Sequence, residues 1–264
     1  MTKNNGPVAL VTGAGRGIGR AIAERLSENG YQIALHYWAA PDQAVEWVEA
    51  VLKQGKHARL FTGDLTVEDT PTKLVAEVLA AYGRLDVVVN NAGQTLSAPF
   101  LEMSADQLET LYRLLFLAPY RISQVAAQWM VRHSVHGCLV QIASVHHNRV
   151  TDQDSAYGAM RAAAIRAMQS MAYELAPYGI RANAVAPGRI LTQFLSQGAD
   201  PLRLQEIDAV MPLRRSGTPE DIANAVEWLV SPQASYVTGM TLTIDGGFNL
   251  SMPSPMIGGK PTFI

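Results

Sequence analysis

A doubly wound, parallel α/β sheet is the fold class this sequence predicts, and three observations carry the prediction. Short apolar runs of four to six residues alternate with longer helical patterns along the whole chain. Several of those runs are continuously apolar rather than in–out alternating, as expected of parallel strands covered on both faces. A glycine-rich turn over residues 12–19 joins the first run to the first helical pattern.

The elements follow in order. Strands are predicted at 8–12, 32–37, 58–61, 87–90, 139–143, 181–186 and 241–244. Between them the apolar spacing predicts helices over 18–28, 43–53, 71–81, 105–131, 155–175 and 219–230. The last of these opens on Thr218-Pro219-Glu220, where Thr can cap and Pro takes the first helical position. No break in composition marks a domain boundary, and no repeat recurs at a solenoid period. Residues 1–264 therefore read as a single domain of about seven strands with helices on both faces. Residues 187–212, a long loop with a short helix, read as a lid over a substrate. Residues 248–264, rich in Pro and Gly toward the end, read as a C-terminal tail.

Composition narrows the partners. The chain has 264 residues, 48% of them hydrophobic and 17% charged, which excludes a disordered chain. A formal net charge of −2 leaves no basic excess to drive binding to nucleic acid. One cysteine, Cys138, excludes an internal disulfide framework. No apolar run approaches the roughly 18 residues of a membrane span. The expectation is a soluble, cytoplasmic protein acting on a small molecule, with neither nucleic acid nor membrane as partner.

The glycine turn is the first chemical signal. Glycines at a strand-to-helix turn let the backbone approach a pyrophosphate, and the helix N-terminus offers N–H groups and partial positive charge to that anion. The spacing is Thr-Gly-x-x-x-Gly-x-Gly, with Gly13, Gly17 and Gly19, and with Gly15 and Arg16 inside it. Further motifs follow in order. Asp64 stands in Gly-Asp-Leu after the third strand, and Asn90-Asn91-Ala92-Gly93 follows the fourth. Ser144 ends the fifth strand, with Tyr157 thirteen residues later. Pro187-Gly188 follows the sixth, and Tyr236-Val237-Thr238-Gly239 through Asp245-Gly246-Gly247 surrounds the seventh.

Over residues 7–247 this set resembles the short-chain dehydrogenase/reductase family, in the ordinary-length branch of bacterial oxoacyl reductases, sugar dehydrogenases and pteridine reductases. The resemblance implies a Rossmann-like fold and hydride transfer between a nicotinamide cofactor and a carbonyl or alcohol. It implies cofactor contacts from Gly13, Gly15, Arg16, Gly17, Ile18 and Gly19, and from Asp64 and Leu65 at the adenine. It implies further contacts from Asn91, Ala92 and Gly93, from Tyr157 and Arg161, and from Pro187, Gly188, Ile190 and Thr192 on the nicotinamide side.

The same resemblance implies a catalytic set of tyrosine, serine, a lysine four residues after the tyrosine, and an asparagine on the preceding long helix. Ser144 and Tyr157 match. The lysine position holds Arg161, which keeps the charge and the i, i+4 placement but does not readily lose a proton. The asparagine position aligns with Leu115, and no asparagine occurs between residues 104 and 141. Leucine has no polar atom with which to hold a relay water. Three readings follow: an oxidoreductase in which Arg161 substitutes for the lysine; a cofactor-binding structural or regulatory partner; or a non-redox proton-transfer enzyme using Ser144, Tyr157 and a histidine.

NAD and NADP are distinguished at the end of the second strand, where an acid binds ribose hydroxyls and a cation attracts a 2′-phosphate. Here the segment reads Leu35-His36-Tyr37-Trp38-Ala39-Ala40, with neither. Arg16 is the cation placed to reach a phosphate, so NADP is favoured over NAD. His146, two residues beyond Ser144, shares its side of an extended chain and is a substrate candidate. Gln153 and Phe194 are two more, and Asn148 and Asp154 lie on the same approach to Tyr157. His133 and His136 lack companions for a metal site, so none is expected. The small and apolar faces of the 105–131 and 155–175 helices, compared with the family, imply a homotetramer.

Overall fold

The computed structural model describes residues 6–38, 41–192 and 200–250. In these residues β1 (Val8–Val11), β2 (Gln32–Tyr37), β3 (Ala58–Thr62), β4 (Val87–Asn90), β5 (Cys138–Ile142), β6 (Arg181–Pro187) and β7 (Thr241–Ile244) form one sheet. The order is β3-β2-β1-β4-β5-β6-β7, and every pairing is parallel. The helices are α1 (Gly17–Glu28), α2 (Pro41–Lys53), α3 (Thr70–Tyr82), α4 (Ala105–Tyr112), α5 (Ala118–Arg132), α6 (Ser155–Leu175), α7 (Pro201–Val210) and α8 (Pro219–Val230). This is the Rossmann-like, doubly wound arrangement expected of the sequence.

The strand residues divide by period two between two cores. Ala9, Val11, Ile33, Leu35, Val87 and Val89 pack with α1, α2 and α8 on one face. Val8, Leu10, Ala34, Val88 and Leu139 pack with α3, α5 and α6 on the other. Burial on both faces is why these strands read as unbroken apolar runs. The strand order reverses direction between β1 and β4, so a crevice opens beyond their C-terminal ends, where open α/β sheets bind ligands.

Helix starts are set by local chemistry. Ser104 and Gln107 form a capping box before α4, and Thr218 and Asp221 form another before α8, with Pro219 in the first turn. One expectation needs correction. The single helix predicted over 105–131 is broken by a π-helical turn at Arg113–Leu117. Pro119 lies just beyond it and has no N–H to give the carbonyl four residues back, so the helix cannot pass through unbroken in α geometry. The wider turn leaves Leu115 fully buried and directed at Gly93, whose added Cβ would lie 3.0 Å from Leu115 Cδ2.

Phe248–Leu250 is a short 3₁₀ turn held by Arg149, whose guanidinium sits 3.9 Å from the Phe248 ring centroid and donates to the Phe248 carbonyl. No helix among the described residues is long and apolar enough to cross a membrane.

Candidate active site

The crevice is built first by the glycine turn. Gly13 and Gly17 have φ of +62° and +58°, a backbone conformation that favours glycine. Gly13 also lies so close to Ala92 that a Cβ would come within 2.8 Å of its Cα. A Cβ on Gly19 would fall 2.4 Å from Asn91 Nδ2 and 2.6 Å from the Gly13 carbonyl oxygen. Gly15 is buried, Arg16 is the exposed N-cap residue of α1 with no side-chain cap bond, and Ile18 packs partly on the core. The N-terminus of α1 is thus backbone-lined, glycine-walled and without a capping oxygen, which fits a pyrophosphate.

The segment after β4 braces this turn. Asn91 Nδ2 donates to the carbonyls of Thr12 and Gly13 at 2.9 and 3.1 Å. Thr12 Oγ1 accepts from the backbone N–H groups of Asn91 and Ala92, each at 3.0 Å. Asn90 turns the other way and donates to Ser123 Oγ at 2.8 Å. The Asn-Asn-Ala-Gly stretch therefore shapes the cradle from behind.

His36 is a further brace that the sequence did not single out. Its Nδ1 accepts the Gly13 N–H at 3.3 Å, and its Nε2 donates to the Gly63 carbonyl at 2.9 Å. Both bonds together require the neutral ring. Burial pushes the His36 pKa below its ordinary 6.5, against a smaller opposing effect of the Gly63 bond. The stability this contributes is complete above the unfolded value and is lost as pH falls from there through the lower folded value. We predict that lowering pH from 7.5 to 5 destabilises the protein and that His36→Gln flattens that dependence. Urea unfolding at several pH values checks this; an equal slope in the variant would count against it.

Asp64 and Leu65 follow β3. Asp64 Oδ1 accepts from the N–H and hydroxyl of Thr66 at 2.9 and 2.7 Å, and Leu65 is buried in the second core. Leu65 therefore offers backbone rather than side chain to any ligand. Beyond β6, Gly188 approaches Asp245 so closely that a Cβ would lie 2.6 Å from Asp245 Cβ. Pro187 closes β6 opposite Ile244, and Ile190 is buried and bridges to Gly217. Thr192 reaches the glycine turn, with its Cγ2 3.4 Å from an added Gly17 Cβ. Phe194 lies outside the described residues, as does the rest of the 193–199 stretch of the 187–212 lid segment; the later part of the segment is α7.

The reactive side chains gather at the adjoining rim. Ser144 is extended at the end of β5, and its Oγ accepts from the His146 N–H at 3.3 Å. Tyr157 lies in the first turn of α6 and is buried. Arg161, one turn on, is buried too. Its Nη1 donates to the Ile142 carbonyl at 2.9 Å, and its guanidinium carbon lies 5.0 Å from the Tyr157 ring centroid. Its Nη2 fills the space beside Gly93, 2.7 Å from where a Cβ would stand. Arg161 thereby ties the helix bearing Tyr157 to the strand end bearing Ser144. Its Nε is buried and makes no hydrogen bond.

His146 stands edge-on to the Tyr157 ring, with centroids 5.6 Å apart and planes at 83°. Its Nδ1 lies 2.9 Å from Asp154 Oδ1 and is buried without a formed hydrogen bond. Gln153 is exposed with φ +57°, and its amide meets Asp152 at 3.2 Å. His133 Nδ1 donates to the Trp129 carbonyl and its ring stacks on that indole.

A doubly wound sheet with a glycine-walled helix N-terminus beside buried serine and tyrosine defines a dinucleotide-binding oxidoreductase. A family profile described as enoyl-(acyl carrier protein) reductase matches residues 13–249. L-rhamnose 1-dehydrogenase (NAD(P)(+)) of Sphingomonas sp. (strain SKA58) is 35% identical over 248 residues, 94% of this chain and 98% of that protein. The 3-oxoacyl-[acyl-carrier-protein] reductase FabG of Staphylococcus epidermidis (strain ATCC 35984) is 34% identical over 239 residues, 90% of this chain and 97% of that one. The crystal structure of acetoin dehydrogenase from Enterobacter cloacae superposes with a TM-score of 0.84 at 35% identity, covering 94% of this chain and 97% of that one. A blue fluorescent protein from a metagenomic library, solved with NADPH, superposes with a TM-score of 0.85 at 32% identity over 94% of this chain and 99% of that one. The chain belongs to the short-chain dehydrogenase/reductase family of NAD(P)-dependent oxidoreductases.

Proposed function

We propose that this chain interconverts a carbonyl and an alcohol on a small molecule, with Ser144 and Tyr157 at the reacting oxygen. The observation that carries this is the docking of Tyr157 and Ser144 at one rim of the glycine cradle by Arg161. A nicotinamide bound in the cradle supplies or accepts the hydride. Ser144 orients the substrate oxygen by hydrogen bonding, and Tyr157 gives it a proton or takes one away. Arg161 holds a fixed positive charge against the Tyr157 ring, and its unpartnered Nε is a donor suited to a ribose hydroxyl. His146 and Gln153, on the loop before α6, border the substrate.

The test is steady-state oxidation of NADPH and NADH against a panel of small ketones, oxoacyl thioesters and sugar lactones. Turnover that Tyr157→Phe abolishes supports the reading; cofactor binding with no turnover overturns it. That second outcome favours a redox-impaired binding partner or a non-redox proton-transfer role. The observation on its side is that Leu115 is apolar and buried beside an Arg161 already bonded to Ile142.

For the cofactor, NADP is the favoured form. His36 cannot serve as the phosphate-binding cation, because both of its ring nitrogens are engaged. Arg20 is bonded to Glu24 and to the Gln43 carbonyl. Arg16, exposed at the α1 N-cap, has the position to meet a 2′-phosphate. We expect NADPH to bind at least tenfold tighter than NADH, a difference of about 1.4 kcal/mol, and Arg16→Ala to remove most of it. Fluorescence titration checks this, and an NADH preference unaffected by the variant defeats it.

A homotetramer in the cytoplasm is the expected state. Tyr120, Ala127, Val131, Met171, Leu175 and Tyr178 line a groove between α5 and α6 that a second copy would cover. Light scattering at micromolar concentration should return four times the 28.6 kDa chain mass; a monomer mass would overturn it.

A further inference from the structure

We propose that the His146–Asp154 pair is the proton-exchange device of this site, connecting Tyr157 to solvent; this rests on Tyr157 being the proton donor.

The argument starts from what surrounds Tyr157. Two basic side chains border its ring, Arg161 at 5.0 Å and His146 edge-on at 5.6 Å. A guanidinium stays protonated throughout the physiological range and cannot pass a proton along. Leu115, packed beside Arg161 at Gly93, has no polar atom and closes that side. His146 is a neighbour whose imidazole can both give and take a proton. Its side chain is 31% exposed, and its ring stands edge-on to Tyr157.

Asp154 makes the imidazole suitable. It is buried, it precedes the first turn of α6, and it forms no cap bond to that helix. The positive end of α6 favours a negative charge there, and that charge faces His146 Nδ1 at 2.9 Å. On protonation, a small rotation of the ring would turn this contact into a charge-assisted hydrogen bond. Space for the pair is preserved by Gly158: a Cβ there would lie 2.8 Å from the His146 carbonyl and 3.0 Å from Asp154 Oδ2.

The other charged groups near the pair are committed elsewhere. His147 Nδ1 donates to the Ser144 carbonyl, Arg149 is bound to Phe248, and Asp152 pairs with Gln153. Strand β6, which also packs on this turn, carries Arg181 at its opposite end, bonded to the Leu229 and Val237 carbonyls.

The proton half of carbonyl reduction then balances. Tyr157 gives its hydroxyl proton to the substrate oxygen, and a bound nicotinamide would supply the hydride to the carbon. The phenolate takes a proton from the His146 imidazolium, and the neutral imidazole takes one from water. Asp154 remains a carboxylate throughout. Oxidation of the alcohol runs the same path in reverse.

The experiment combines kinetics with spectroscopy of the cofactor-free protein. His146→Gln should lower kcat about a hundredfold at neutral pH. Imidazole added to His146→Ala should restore at least tenfold of the loss, which a merely structural role would not allow. In the 15N–1H spectrum at low pH, a slowly exchanging imidazole proton should be present and disappear in both Asp154→Asn and His146→Gln. An unchanged kcat in His146→Gln overturns the proposal, as does a loss in His146→Ala that imidazole does not rescue. Absence of the imidazole proton in wild type also overturns it. If wild type itself turns over no carbonyl, the oxidoreductase reading falls, and this proposal with it.

Discussion

Tyr157→Phe should reduce the turnover of carbonyl reduction by about 10²- to 10⁴-fold, the range associated with losing a positioned proton donor. The substitution removes one oxygen and little else. The aromatic ring keeps its edge contact with His146 and its place under the Arg161 guanidinium, so α6 stays docked on the end of β5. Cofactor affinity and thermal unfolding should therefore be almost unchanged while kcat collapses. Steady-state kinetics beside cofactor titration and a melting curve separate these effects. Substantial turnover in Tyr157→Phe would mean that another group gives up the proton, and Ser144 and His146 would be the neighbours to test.

Gly19→Ala is the second large effect, and it acts on binding rather than chemistry. Its new Cβ would have to displace Asn91 Nδ2 at 2.4 Å and the Gly13 carbonyl at 2.6 Å. Asn91 cannot yield without giving up its bonds to Thr12 and Gly13, which hold the glycine turn in shape. We expect cofactor affinity to fall by at least tenfold and stability by about 1–3 kcal/mol, the usual cost of overpacking. Gly30→Ala is the control. Gly30 has φ +85° but nothing within 4 Å of an added Cβ. It should cost about 1 kcal/mol through backbone strain alone and leave affinity intact. Equal cofactor affinity in Gly19→Ala and wild type would remove the glycine turn from the binding site.

The two variants probe parts of the site that differed in how openly the sequence announced them. The glycine turn was readable because its requirements are local: positive φ and close backbone approach call for glycine wherever the partner backbone stands. Ser144 and Tyr157 were readable from their spacing and their places at a strand end and a helix start. The brace at His36 was not. It depends on the parallel register that sets His36 beside Phe61, two residues before Gly63, while Leu10 pairs with Ala34 to bring up the glycine turn. A buried histidine on an apolar strand looks the same in sequence whether it bridges two loops or none. The π turn was missed because apolar spacing through residues 105–131 is nearly the same for one helix as for two joined by a wider turn. Pro119 was the available signal, and a proline in the first turn of a helix is ordinary.

Arg161 shows the division most clearly. Its residue type and its i, i+4 spacing from Tyr157 placed a fixed positive charge near the phenol, and that much is chain-local. Where the guanidinium rests is a matter of three elements meeting. The β5 end offers the Ile142 carbonyl, the β4 loop offers the gap above Gly93, and the π turn sets Leu115 beside that gap. The order of strands and helices, the two-faced burial of the sheet and the phosphate-binding turn follow from periodicity and backbone sterics, which act over a few neighbouring residues. The pairing of His146 with Asp154, the locking of His36 and the inward turn of Arg161 follow from which surfaces the folded sheet brings together, because polar side chains take whatever partners burial leaves within reach.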